Sequence, residues 1–129
     1  MNEITRAVVI IGVVGVGLAV VAAWTAYADI SRRSAIRTGS LRPWPAVVFF
    51  TSTDCDACDP VRKVVFGRAP RDVIREIAYQ GGADQFRSAG VEKVPAVVVL
   101  DGRGRAVGLF EGQVTRRQIG RALRRAGIG

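Results

Sequence analysis

Apolar and polar positions follow two different patterns along this chain. Residues 7–28, AVVIIGVVGVGLAVVAAWTAYA, are one apolar run without a charge. Its length of about 22 residues meets the roughly 20 that a helix needs to cross a bilayer. Trp24 and Tyr27 stand near its end, where amphipathic rings favour the membrane interface. The run predicts a single transmembrane helix over residues 1–28. A buried helix of a soluble core fits poorly, because the run is apolar on every side. A signal peptide cleaved after Ala28 is the competing reading, since Ala26-Tyr27-Ala28 has the small-x-small pattern. Against it, the run exceeds the usual h-region of about 7–15 residues and the preceding MNEITR is barely basic.

Residues 29–44, DISRRSAIRTGSLRPW, mix charge, Ser, Gly and Pro and read as a juxtamembrane linker. From Pro45 the pattern becomes that of a small folded domain, residues 45–129. AVVFFT at 46–51 is continuous and rich in Val and Phe, as buried central strands are. Val61, Val64, Val65 and Phe66 recur at helical spacing until residues 67–70 break the helix. Residues 72–79, DVIREIAY, predict a second strand, although helix competes there. Gly81-Gly82 punctuate, and residues 83–89 form a short helix stopped by Gly90. Residues 97–100 and 106–110 read as a hairpin around a turn at 101–104. Thr115 can then cap a helix, with Gln118 as its capping-box partner. Ile119, Ala122, Leu123 and Ala126 form that helix's apolar face. The order β-α-β-α-β-β-α defines an α/β domain. A helical crossover makes the first two strands parallel and the hairpin adds antiparallel pairing, so the sheet is mixed.

Charge adds orientation. The formal net charge is +8, and the cations are almost all arginine, Lys63 and Lys93 being the lysines. Arg32, Arg33, Arg37 and Arg42 follow the apolar run, against Arg6 before it. The more basic flank is expected in the cytoplasm, which puts the domain on that side; cleavage after Ala28 would instead export it. No long basic block with interleaved aromatics appears, which argues against a nucleic-acid partner. A mild attraction to anionic headgroups suits an anchored protein better. Arg116, Arg117, Arg121, Arg124 and Arg125 on the last helix read as a solvated face.

Cysteine chemistry carries the functional signal. The stretch FFTSTDCDACDP holds both cysteines, Cys55 and Cys58. A zinc or iron–sulfur site usually needs four ligands. With no histidine and no third cysteine, such a site would need another chain, so no metal or other cofactor is expected. A structural disulfide closing so short a loop gains little chain entropy, but it stays open as a reading. Thiol–disulfide exchange needs an accessible thiolate and a second thiol that resolves the mixed intermediate. A strand running into a helix start supplies both, because the helix N-terminus stabilises a thiolate at the exposed end of the sheet.

The chain from Pro45 to Ala126 resembles the thioredoxin-like family. The resemblance rests on the Val/Phe-rich strand leading into Cys55-Asp56-Ala57-Cys58, on FRSAGVEKVPAVVVL, and on the closing hairpin, LFEG and amphipathic helix. It implies a thioredoxin-like mixed sheet with Cys55 as nucleophile and Cys58 as resolving thiol. It also implies that Val94-Pro95 has a cis-proline and that Val94 offers its backbone to a substrate strand. The chain departs from the family: the first strand and helix of full-length thioredoxins are missing or replaced by the linker, and three positions in and around the motif differ. Asp54 stands where thioredoxins carry Trp, Asp56-Ala57 replace Gly-Pro, and Phe49 occupies the position of a buried aspartate. Asp54, Asp56 and Asp59 are candidates for tuning the cysteine pKa, since carboxylates disfavour a nearby thiolate. Asp54 is also expected to cap the helix, and Pro60 to fall in its first turn.

Together these features imply a membrane-anchored thiol–disulfide oxidoreductase, more reductant than oxidant, with a disulfide-containing protein as substrate. Its electrons would come from an upstream reductase or a membrane electron carrier. The rival is a non-catalytic accessory subunit that uses the fold to dock onto a membrane complex.

Overall fold

The computed structural model describes residues 2–129. Helix α1 (Glu3–Ala35) contains the apolar run. Asn2 caps it, its Oδ1 accepting from the Thr5 N–H at 2.9 Å. Within the run, the Thr25 hydroxyl donates to the Ala22 carbonyl at 3.0 Å, so this polar group is satisfied inside the helix. None of its residues is buried, and the helix is long and apolar enough to cross a membrane.

The chain divides into two compact units, one ending at Arg32 and the other spanning Arg33–Gly129. The second unit holds a four-stranded sheet in the order β2-β1-β3-β4. Strand β1 (Ala46–Thr51) and strand β3 (Ala96–Leu100) are buried along their whole length. β1 is the central strand that its unbroken apolar sequence predicts, and β3, expected as a hairpin strand, is central as well. Strand β2 (Ile74–Ala78) and strand β4 (Ala106–Glu111) are the half-buried edges. β1 pairs parallel with β2 and antiparallel with β3, and β3 pairs antiparallel with β4.

Side chains alternate across the two central strands and divide the core in two. Val47, Phe49, Val97 and Val99 pack against helix α2 (Cys58–Arg68) and helix α4 (Arg116–Ala126). Val48, Phe50, Val98 and Leu100 pack on the other face with Phe86, Ala89 and Leu41. Phe86 and Ala89 come from helix α3 (Tyr79–Ala89), which is regular only from residue 83, because Gln80, Gly81 and Gly82 are non-helical. It ends at Gly90 in the left-handed region (φ 79°), the stop that sequence anticipates. The capping box on α4 also forms: Thr115 Oγ1 accepts from the Gln118 N–H, and Gln118 Oε1 from the Thr115 N–H.

Local boundaries differ in three places. Residues 71–73 are a turn of 3-10 helix, so β2 starts at Ile74 and not at Asp72. Helix α2 runs through Gly67 to Arg68 and yields to extended Ala69, since a residue before proline avoids the helical region. The largest correction concerns the linker. α1 continues past Ala28 to Ala35, with no Gly or Pro to stop it, and residues 33–44 belong to the folded unit. Leu41 is buried among Val48, Phe86 and Leu100. The Arg75 guanidinium donates to the carbonyls of Leu41, Arg42 and Pro43, and its partial burial holds its pKa below the usual arginine value. Trp44 donates its indole N–H to the Thr38 carbonyl at 3.3 Å. Its ring lies on Gly104 in the β3–β4 turn, close enough that a Cβ there would be 2.4 Å from the indole. Leu41 and Trp44 are too scattered to give a periodic signal, so tertiary contacts order this segment.

Candidate functional site

β1 ends in the buried Thr51, and the chain leaves the sheet through residues 52–57 before α2 starts at Cys58. Cys55 and Cys58 form a disulfide with Cα atoms 5.4 Å apart. The two sulfurs have different surroundings. Cys55 is half-buried, whereas Cys58 is fully buried in the cluster that contains Phe49, Val61 and Val97.

The helix start differs from expectation, and the difference bears on thiolate chemistry. The N-cap of α2 is Ala57, which has no capping side chain. Asp54 is exposed and lies in the preceding turn, with its own N–H directed at the Ser52 hydroxyl at 3.5 Å. It therefore does not cap the helix. The Cys58 and Asp59 N–H groups donate to the Cys55 and Asp56 carbonyls at 3.3 and 3.4 Å. Pro60, in the first turn as anticipated, has no N–H. The helix terminus thus directs few free donors at the Cys55 sulfur.

The three aspartates part company. Asp54 and Asp56 are exposed and have no cationic partner among the described residues. Asp59 is bound by Arg62 at 2.7 Å, and Arg62 also bonds Glu76 through Nε (3.0 Å) and its terminal nitrogen (2.5 Å). The hydrogen bond to Glu76 is the main reason that the pKa of Arg62 is raised above the usual arginine value. The Arg62 guanidinium sits 5.7 Å from the Phe49 ring centroid. Phe49 and Glu76 are register partners on β1 and β2. An aromatic ring thus fills the core beside Cys58, and the Glu76 carboxylate on the neighbouring strand is paired with Arg62.

Gln80 holds the loop between β1 and Cys55. Its Oε1 accepts from the Thr53 N–H at 3.0 Å, and its Nε2 donates to the Ser52 hydroxyl at 3.1 Å. It can do so because the backbone at residues 80–82 leaves the helical region, turning the side chain toward the loop after β1. Sequence reading did not find Gln80, Arg62 or Glu76. Gln80 sits beside the Gly-Gly punctuation, which was its only signal. Arg62 and Glu76 lie 14 positions apart, and their pairing exists only once β2 lies beside β1.

The Val94–Pro95 peptide bond is cis. Pro95 is buried and its carbonyl accepts from the Gly112 N–H at 2.9 Å. Val94 is exposed, and its main-chain N–H and C=O have no hydrogen-bond partner among the described residues. Val94 and Ser52 line one cavity, so the loop before β3 faces the loop that carries Cys55.

This topology, with a CxxC pair where a central strand meets a helix, is a thioredoxin-like fold. Among solved structures the chain is similar to a thio-disulfide isomerase from Thermus thermophilus. Identity is 19% over 68% of this chain and 82% of that chain, with a TM-score of 0.50. A malarial protein is also similar, at 14% identity over 63% of this chain and 94% of that one, TM-score 0.48. No protein-family model and no curated protein matches the chain.

Proposed function

We propose that this protein is a membrane-anchored thiol–disulfide oxidoreductase that works as a reductant. The observation that carries the reading is the asymmetric disulfide: half-buried Cys55 and fully buried Cys58, beside a Val94 backbone with unpaired hydrogen-bonding groups. In the reduced protein the Cys55 thiolate attacks one sulfur of a partner disulfide. A Cys55–partner S–S bond forms, the partner's own S–S bond breaks, and the departing thiolate takes up a proton. Cys58, deprotonated, then attacks the Cys55 sulfur, closing the Cys55–Cys58 disulfide and releasing the second partner thiol. Two electrons pass from the dithiol to the partner. Val94 and Pro95 hold the partner segment as an added strand. An upstream reductase or a membrane electron carrier restores the dithiol.

The direction of electron flow follows from thiolate stabilisation. Strong oxidants have a specially stabilised reduced form. Here the helix begins at Cys58, its first N–H groups are engaged, and Asp54 and Asp56 flank Cys55 without a cation. Each feature withholds stabilisation from the Cys55 thiolate and favours the reductant role. α1 is the anchor, and the basic flank at Arg32, Arg33, Arg37 and Arg42 favours a cytoplasmic domain. Anchoring confines the dithiol to partners at the membrane and raises its effective concentration there.

The test is a trap. Cys58→Ser protein is expressed in its host and quenched with acid, and covalent adducts are sought on a non-reducing gel. Discrete reducible adducts through Cys55 are expected, and the compartment of the trapped partners reports the side of the membrane. A clean monomer with an alkylatable Cys55 would refute exchange chemistry and assign the domain to docking onto a membrane complex.

A further inference from the structure

Helix α4 breaks the local rules for charge on a helix. Its sequence, RRQIGRALRRA, has five arginines and no acid. All five arginines are exposed, and none forms an ion pair among the described residues. Arg116 and Arg117 occupy the first turn, where the helix dipole disfavours a cation. Arg117 and Arg121, like Arg121 and Arg125, stand at i, i+4, and like charges at that spacing weaken a helix. At helical periodicity Arg117, Arg121, Arg124 and Arg125 share an arc of roughly 100°. It lies on the side away from the buried Ile119, Ala122, Leu123 and Ala126. Arg68 of α2 adds a further guanidinium, close enough that a Cβ at Gly120 would be 3.0 Å from its terminal nitrogen. Such conflicts between local rules and the fold collect at functional sites.

The surroundings of this stripe narrow its occupant. The segment that leads into the domain packs on the α3 side of the sheet. Leu41 is buried there among Val48, Phe86 and Leu100, and the Arg37 N–H donates to the Ala89 carbonyl at 2.9 Å. α4 packs on the opposite side, with α2, so its arginines point away from the face by which the chain enters. A bilayer contact would also need apolar side chains beside the cations, to sink into the headgroup region. Those of α4 are buried, and neither α2 nor α4 carries an exposed large hydrophobic. α4 has no aromatic ring of the kind that stacks on nucleic-acid bases. A second copy of the chain is no better match, because no helix here carries two carboxylates within two turns of each other.

We propose that the outer face of α4 is a docking surface for an acidic helix of a partner protein. Arg117, Arg121 and Arg124 follow the i, i+4, i+7 spacing by which one helix presents a stripe to another, over about 10 Å of helix. Carboxylates at the same spacing on the facing helix meet the guanidinium forks in charge-assisted, bidentate bonds. Arg125 and Arg68 flank the stripe and widen the field that steers the partner in. The docked helix supplies the negative charge that α4 lacks and so relieves the like-charge repulsion along it. The stripe contains neither cysteine nor Val94, so this inference stands independently of the redox reading.

The experiment titrates full-length protein in neutral-detergent micelles with fluorescent, alanine-based helical peptides of about 15 residues, read by anisotropy. One peptide carries glutamates at i, i+4 and i+7. The other has the same composition with its glutamates spread around the helix, so attraction to net charge cancels in the ratio of affinities. The striped peptide should bind roughly five- to tenfold tighter, a gap that shrinks in high salt. Arg117→Gln, Arg121→Gln and Arg124→Gln together should bring the ratio near one. Arg71→Gln, Lys93→Gln and Arg103→Gln, which remove as much charge elsewhere, should preserve it. Equal binding of the two peptides, or a ratio that survives the α4 changes, would overturn the docking surface and leave a solvated face. The bilayer is tested in nanodiscs of phosphatidylcholine, with or without anionic phosphatidylglycerol, by phenylglyoxal modification read by mass spectrometry. Arg117, Arg121 and Arg124 should react equally in both discs. Protection confined to the anionic discs would place the stripe on lipid and overturn the protein partner.

Discussion

The contact between Trp44 and Gly104 gives the sharpest test of how the domain is built. Gly104 has φ +78°, and a Cβ added there would lie 2.4 Å from two carbons of the Trp44 indole. Gly104→Ala therefore carries two separable costs. The left-handed backbone disfavours an L-residue by about 1–2 kcal/mol. Displacing the indole adds about 1–3 kcal/mol of overpacking, including the hydrogen bond from Trp44 to the Thr38 carbonyl. The total is about 2–5 kcal/mol. In a Trp44→Ala background the clash is gone and only the backbone cost of about 1–2 kcal/mol remains. The expected coupling between the two changes is about 1–3 kcal/mol. Gly102, in the same turn, has open space at its Cβ, so Gly102→Ala should be within about 0.5 kcal/mol of neutral. The assay is urea unfolding of full-length Cys55→Ser protein in micelles, read by pulsed alkylation of Cys58, which is fully buried when folded. Equal costs for Gly104→Ala in both backgrounds would refute the packing of Trp44 on the turn. The segment from Arg33 to Trp44 would then be a tether.

Three further outcomes follow from named contacts. Asp101 accepts from the Arg105 and Arg103 N–H groups and from the Arg105 side chain, and these bonds, the Arg105 N–H foremost, hold its pKa below 3.8. The unfolded chain therefore takes up this proton first, so the contribution of Asp101 is complete above the ordinary aspartate value and lost as pH falls through the folded one. Asp101→Asn should show a smaller loss of urea midpoint between neutral and strongly acidic pH than the wild type, and an identical loss would sink the assignment. Gln80→Ala removes the bond to the Thr53 N–H, worth about 1 kcal/mol; amide exchange at Thr53 should speed up while that of β3 stays constant. Arg62→Ala leaves Asp59 and Glu76 uncompensated beside the dithiol and destabilises its thiolate form. The reduction potential, measured against glutathione buffers, should become more negative by on the order of 10–20 mV, and a positive shift would contradict the electrostatic argument.

The sequence by itself determined the elements and their order. An unbroken apolar run specifies β1 as a central strand, because only strands covered on both faces lack a polar alternation. Gly90, Thr115 and Gln118 mark helix ends because capping is a local chemistry of neighbouring residues. The Cys55-Asp56-Ala57-Cys58 spacing, at a strand-to-helix junction, likewise belongs to a few consecutive residues. Tertiary structure decided what depends on distant pairs. Arg75 reaches the carbonyl of Leu41 across 34 positions, and Gln80 meets Ser52 across 28. No periodicity in either segment encodes those meetings. The same holds for Arg62 and Glu76. Periodicity says which way a side chain points along its own element. Only the packed sheet says what it meets there, and so which charges near the dithiol are neutralised and which stay free.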